Sequence, residues 1–224
     1  MAIDLDAWAE RLATLLDHLL ALGRVREAQA VWRDLESRGV VPRPSESDRS
    51  NLIYNGDFEQ IPLNAGLDWH YRPTAFLALD FADPSAYHGS HCLRVDFTVG
   101  QNLEYEPIYE FVPVAPDRTY LLSAFVRSNA ITSDSGARLR VVDAECNRCL
   151  DVSSDGTVGT TPWHPVSLKF STGHTTQLIR VSIWRPPART FPVEISGTLW
   201  LDAVRLESLP SGVPESASSP VLQK

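Results

Sequence analysis

A chain of 224 residues with 43% hydrophobic side chains has apolar material for one full domain and a small appendage. Its formal charge of −8 argues against the basic stripe of a phosphate-binding nucleic-acid surface. No apolar run approaches the roughly 18 residues that cross a bilayer, so no membrane span is expected. The N-terminus shows no basic region followed by an apolar one; an exported protein would then be represented here by a fragment or by its mature form. Only Lys169 and Lys224 among the 20 basic residues are lysine, which leaves a chain rich in planar guanidinium donors.

Leu5, Trp8, Leu12, Leu15, Leu16 and Leu19 recur at spacings of three and four, predicting a helix over residues 4–22 that stops at Gly23. A second helix follows from Arg24 to Arg38, with Val25, Ala28, Trp32 and Leu35 on one stripe and Gly39 closing it. The two make an αα-hairpin over residues 1–40. The order Gly23, Ala28, Trp32 resembles the turn and second helix of a tetratricopeptide repeat, although Leu16 stands where that repeat has a small residue and only one copy is present. A single such unit cannot bury its own face. The hairpin is therefore either the last repeat of a longer array, and so a possible site for a protein partner, or a cap packed on the next domain. Residues 41–50 are polar and punctuated by Pro42 and Pro44, as in a linker.

From residue 51 to 208 the period changes to two. Leu93, Val95 and Phe97 alternate with polar neighbours, as do Tyr120, Leu122, Ala124 and Val126. Leu139 and Val141 face away from Arg138 and Arg140; Ile179, Val181 and Ile183 face away from Arg180, Ser182 and Trp184. Turn signals recur at Asp83-Pro84, His88-Gly89, Pro116-Asp117, Asp155-Gly156 and Thr172-Gly173. Many short strands without helices between them predict a mainly β fold, a sandwich of eight or more strands behind the α-helical hairpin. Residues 209–224, rich in Ser and Pro, read as a disordered tail.

Five segments in order carry a family resemblance. Asn51-Leu-Ile-Tyr-Asn-Gly-Asp-Phe-Glu59 and Gly197-Thr-Leu-Trp-Leu-Asp-Ala-Val-Arg-Leu206 resemble the first and last strands of jelly-roll carbohydrate-binding modules of the xylan- and glucan-binding type. Tyr87–Val95, Val114–Ser123 (with Asp117 in place of the usual Gly) and Trp163–Phe170 resemble three internal elements. The resemblance implies a galactose-binding-like jelly roll and a structural Ca²⁺ held by Glu59 and Asp202, with Asp57 and Ser90 adding mainly main-chain oxygens. Ca²⁺ accepts such a mixed oxygen set. Ala203 stands where the family often has a second Asp, which removes one carboxylate.

The same resemblance implies non-catalytic glycan binding on a concave sheet face, in an extracytoplasmic setting. Sugar recognition needs an aromatic platform surrounded by planar polar groups. Phe125, Arg127, Arg180 and Trp184 all take the outward parity and are expected to share that face; Tyr105 and Tyr109 are expected on its rim, and Trp69, with His70 and Tyr71, at one end. Trp184 leads the set because Ser182 and Arg180, not aliphatics, share its parity, while Trp163 and Trp200 take structural positions. Arg127 is either a ligand contact or an ion-pair partner of Glu110 or Asp96. The arginines point to an acidic polysaccharide as partner, in a bacterial cell-envelope or polysaccharide production and export protein. Two other readings stand beside this one: an interaction or spacer domain of an envelope assembly, and a jelly-roll polysaccharide lyase using Tyr109, His70 and Arg127.

No Gly-x-Ser-x-Gly elbow, phosphate loop or His-Glu-x-x-His motif is present. Cys146-Asn-Arg-Cys149 lies between β-like segments and reads as an unbonded loop pair, a local disulfide, or a metal or redox site, in that order. Cys92 reads as a small buried hydrophobe.

Overall fold

The computed structural model describes residues 5–42, 50–72, 74–98, 102, 104–191 and 193–210, with side chains from residue 11 onward. The side chains of Leu5 and Trp8, most of the linker and nearly all of the tail lie outside the described residues.

Two helices, α1 (Leu5–Ala21) and α2 (Val25–Ser37), form the hairpin. Its turn closes through main-chain bonds from Gly23 N to Leu20 O (3.0 Å) and Arg24 N to Leu19 O (2.9 Å). Gly23 sits at φ +67°, where a side chain is strained, and an added Cβ would also collide with the Glu145 carboxylate. Val25, Ala28, Trp32 and Leu35 are the buried stripe of α2, as their spacing predicts. On α1 the buried face is Leu16, Leu19 and Leu20, with Leu12 partly covered. Leu15 is 44% exposed, a departure from the expected face. The four-residue step from Leu16 to Leu20 sets the axis of contact, and Leu15 falls beside it.

The sandwich has ten strands: β1 (His70–Tyr71), β2 (Leu77–Asp83), β3 (Cys92–Phe97), β4 (Tyr105–Pro113), β5 (Thr119–Ile131), β6 (Arg138–Asp143), β7 (Asp151–Ser153), β8 (Gly159–Ser171), β9 (Leu178–Arg185) and β10 (Gly197–Ser208). One five-stranded sheet runs β1-β4-β9-β6-β7 and the other β2-β3-β10-β5-β8, and the named pairs are antiparallel. The chain is thus mainly β, a jelly-roll β-sandwich preceded by an α-helical hairpin. Inward residues of the first sheet (Ile108, Val112, Leu139, Val141, Ile179, Val181, Ile183) meet those of the second (Leu93, Val95, Phe97, Leu122, Ala124, Val126, Leu199, Leu201) in one core. Period-two alternation puts one apolar row of each longer strand there.

The hairpin docks on the first sheet. Its apolar face shares a cluster with Tyr54, Leu67 and Leu178, flanked by Phe111 and Ala144. Trp32 meets Tyr54 edge-to-face at 5.0 Å, and Gly66 N donates to Asp17 Oδ1 at 2.8 Å. Between β6 and β7, Cys146 and Cys149 are joined in a disulfide, against the first expectation of an unbonded pair. Asp143 Oδ1, accepting from Glu145 N and Cys146 N, makes the tight turn that brings the two sulfurs together. Cys92 is fully buried, and burial pushes its thiol up to about 12.

Candidate functional site

The expected binding residues divide between the two sheets. Arg180 and Trp184 of β9 point outward from the first sheet together with Tyr109 of β4, which pairs with Ser182. Phe125 and Arg127 also point outward, but from β5 in the second sheet, on the opposite side of the sandwich. There Phe125 stacks on Tyr87 (3.6 Å) and the Arg127 guanidinium lies 4.5 Å from the Trp200 ring centre. Asp96 is held by Arg94 and Thr198, and Glu110 belongs to the first sheet, so neither is the partner of Arg127. Strand alternation fixes which face of its own sheet a residue takes. It carries nothing about which sheet the strand joins.

Two further aromatics turn inward. Trp69 is 1% exposed, stacked on Phe58 at 5.4 Å, and its Nε1 donates to Asn55 O at 3.2 Å. An irregularity in the β4–β9 pairing between Tyr105 and Ile108 carries Tyr105 to the core side, against Phe97 (6.1 Å), where burial pushes its phenol up to about 12. His70 lies in edge strand β1 rather than in a loop, stacked on Tyr109 at 5.0 Å. The trio of the lyase reading is therefore split: His70 touches Tyr109, and Arg127 is on the other sheet.

What remains on the outer face of the first sheet is a row of aromatics and charged groups. Trp184 Nε1 donates to Glu104 Oε1 (2.8 Å), and the Arg140 guanidinium lies 4.4 Å from the indole centre. Arg140 is fixed by two bonds to Asp151 (2.8 and 2.7 Å), and this pairing holds the Asp151 carboxyl below its usual range. Arg180 pairs with Glu106 at 3.0 Å, and Ser182 Oγ donates to the same carboxylate. Beside Trp184 opens a cleft of about 660 Å³ walled by Asp134, Arg138, Ser153, Trp184, Pro186 and Arg189. Arg138 lies in register with Trp184, and its buried Nε has no hydrogen-bond partner among the described residues. Sequence reasoning passed over Glu104, Glu106, Arg138, Arg140 and Arg189. The alternation of Arg138 and Arg140 with Leu139 and Val141 marked them as outward, but only the β6–β9 pairing places them beside Trp184.

The four expected metal-site residues gather around the loop before β3. A bulge in β10 between Asp202 and Arg205, with Ala203 at φ +50°, turns the Asp202 side chain into a fully buried position. Asp202 Oδ2 accepts from Tyr87 N (2.8 Å) and His88 N (2.9 Å), and Glu59 Oε1 accepts from Ser90 N (2.6 Å) and His91 N (2.9 Å). Gly89 at φ +78° allows this close approach; a Cβ there would strike the Glu59 carboxylate. Burial alone would raise the Glu59 carboxyl, but these bonds together outweigh it and hold the group below its usual range. Burial first, and then the charge of Asp57, raise that of Asp202. The donors are hard oxygens of the type Ca²⁺ takes, and the repulsion between Asp57 and Asp202 is one a divalent cation would remove. Among the described residues no three His, Cys, Asp or Glu side chains converge on one point.

No protein-family model matches this chain, and no curated protein matches it in sequence. Solved structures do, and they are mostly carbohydrate-binding modules, of families 16, 4, 61 and 22. An arabinose-bound MgGH51 α-L-arabinofuranosidase superposes with a TM-score of 0.53 at 19% identity, over 71% of this chain and 26% of that one. The enzymatically active domain of bacteriophage CBA120 tailspike protein 4 gives 0.49 at 16% identity over 71% and 22%, and a family 16 carbohydrate-binding module gives 0.46 at 18% over 70% and 99%. The match thus spans about a fifth of the tailspike chain and about a quarter of the arabinofuranosidase. At these identities the likeness is one of fold.

Proposed function

We propose that this chain is a non-catalytic glycan-binding module, and that it binds sugar in the cleft beside Trp184 on the outer face of the first sheet. The observation that carries this reading is the cleft itself: an indole wall, a buried Arg138 Nε without a hydrogen-bond partner among the described residues, and a volume suited to one or two sugar rings. One neighbour in fold was solved with arabinose bound. Arg140 and Arg180 are already paired with carboxylates, so Arg138 and Arg189 are the cations that meet an acidic polysaccharide. The net charge of −8 opposes a polyanion at long range, which makes the affinity salt-dependent.

Around this function we place a structural Ca²⁺ held by the carboxylates of Glu59 and Asp202 with mainly main-chain oxygens of Asp57 and Ser90, which would tie the two ends of the sandwich together. The Cys146–Cys149 disulfide favours an extracytoplasmic, oxidising location, in keeping with a cell-envelope or polysaccharide-export protein. Exposed Leu15 and Leu22 on the docked hairpin are where a protein partner or a further tetratricopeptide-like repeat would sit.

A glycan array of neutral and acidic polysaccharides, probed with the full chain with and without Ca²⁺, tests the reading. Saturable, salt-sensitive binding to acidic glycans is expected. A blank array in both conditions would leave the spacer reading in its place.

A further inference from the structure

Residues 144–150 form a strap from β6 to β7 that carries the Cys146–Cys149 disulfide, and its two halves are held unequally. The first half has a fixed base. Ala144 N donates to Leu178 O at 3.0 Å, and Ala144 packs on the hairpin cluster. Asp143 Oδ2 accepts from Thr176 Oγ1 at 2.6 Å while its Oδ1 accepts from Glu145 N and Cys146 N, both at 2.9 Å. Asn147, Arg148 and Cys149 of the second half are exposed. They are tied back to that base by the disulfide and by a main-chain bond from Cys149 N to Cys146 O at 2.7 Å.

β7 begins two residues after Cys149. It is three residues long, stands at the edge of the first sheet and pairs there with β6. Buried Leu150, whose O accepts from Asp143 N at 3.0 Å, is a second hold on its entry. This short strand serves the cleft: Asp151 fixes Arg140 beside the Trp184 indole, and Ser153 is part of the wall. A disulfide closing so small a ring constrains little of the unfolded chain, so its effect is local to the strap rather than global. Exposure sets its chemistry, because a thiolate must reach one sulfur in line, and exposed disulfides are the labile ones. Cys92 is fully buried and takes no part.

We propose that the Cys146–Cys149 disulfide is a redox modification site opened by a small thiol reductant, and that reduction frees the entry of β7 and loosens its side of the cleft. The reductant's thiolate attacks the exposed Cys149 Sγ; the Cys146–Cys149 bond breaks, and Cys146 leaves as a thiolate and takes a proton. A second reductant thiolate then attacks the reductant's sulfur in the mixed disulfide and releases Cys149, which is protonated in turn. The protein gains two electrons and two protons, and two reductant thiols are joined as a disulfide. The consequence for sugar rests on the glycan reading above: with Asp151 less firmly placed, Arg140 and the indole are held less firmly, and affinity falls.

The folded full chain, equilibrated in mixtures of reduced and oxidised glutathione and then thiol-labelled, should pass from no label to two by mass spectrometry. A chain that takes no label until it unfolds overturns the proposal. Hydrogen exchange at residues 150–153 should quicken by about threefold or more on reduction, with residues 179–183 of β9 unchanged. Equal exchange in both forms overturns it, as does a glutathione response that persists when Cys146→Ser and Cys149→Ser are combined. In affinity electrophoresis the reduced chain should be retarded about threefold less than the oxidised one, and equal retardation overturns the link to the cleft. No retardation of either form would remove the glycan reading alone, since labelling and exchange decide the redox site without sugar.

Discussion

Asp68 accepts main-chain bonds from Leu63 and Trp69, yet burial outweighs them and raises its carboxyl to about 6. Because the folded state holds this proton more tightly than the unfolded one, Asp68 contributes stability that is fully present below about pH 4 and lost as the pH rises to about 6. The loss is on the order of 3 kcal/mol. Asp68→Asn should therefore gain stability relative to wild type across that window and run parallel to it above pH 6; denaturant curves at several pH values read this directly, and parallel curves throughout would contradict it. Next to it, Trp69→Ala should cost about 3–5 kcal/mol through the cavity it leaves beside Phe58, a loss that thermal unfolding would show. The contrast with Trp184 explains what could be read at this scale. Trp184 lies in an alternating strand whose parity marks it as outward, whereas Trp69 precedes a two-residue strand and has no periodic context to place it.

At the scale of elements, the hairpin separates contact from exposure within one helix turn. Leu16→Ala should cost about 2–4 kcal/mol, since it empties the seam beneath Trp32; Leu15→Ala, at a largely solvated neighbour, should stay within about 0.5 kcal/mol. Equal losses in thermal unfolding would mean that the helix docks on another face. Helix ends were legible from Gly23 and Gly39, and the long strands from alternation, because those signals are local. Pairing between strands is not local. Nothing in Phe125 or Arg127 tells that β5 joins β10 and β8 while β9 joins β4 and β6, so one outward parity became two opposite faces. The two-residue β1 and three-residue β7 exist only through their partners and left no pattern to find.

For the whole molecule, the proposed Ca²⁺ would bind only the folded sandwich and stabilise it by mass action, about 2.7 kcal/mol at a hundredfold excess over its dissociation constant. Chelator should then lower the Tm by several degrees, and an unchanged melting curve would remove the ion from the account. The central claim is more direct: sugar binds beside Trp184, on the first sheet and not on the second. Affinity electrophoresis in the polysaccharide selected by the array, comparing wild type with Trp184→Ala and Arg127→Ala, tests it in one gel. Trp184→Ala should lose retardation by about tenfold or more while keeping a cooperative melt, and Arg127→Ala should migrate as wild type does. Loss of retardation in Arg127→Ala with Trp184→Ala unchanged would move the site to the opposite face and contradict the claim.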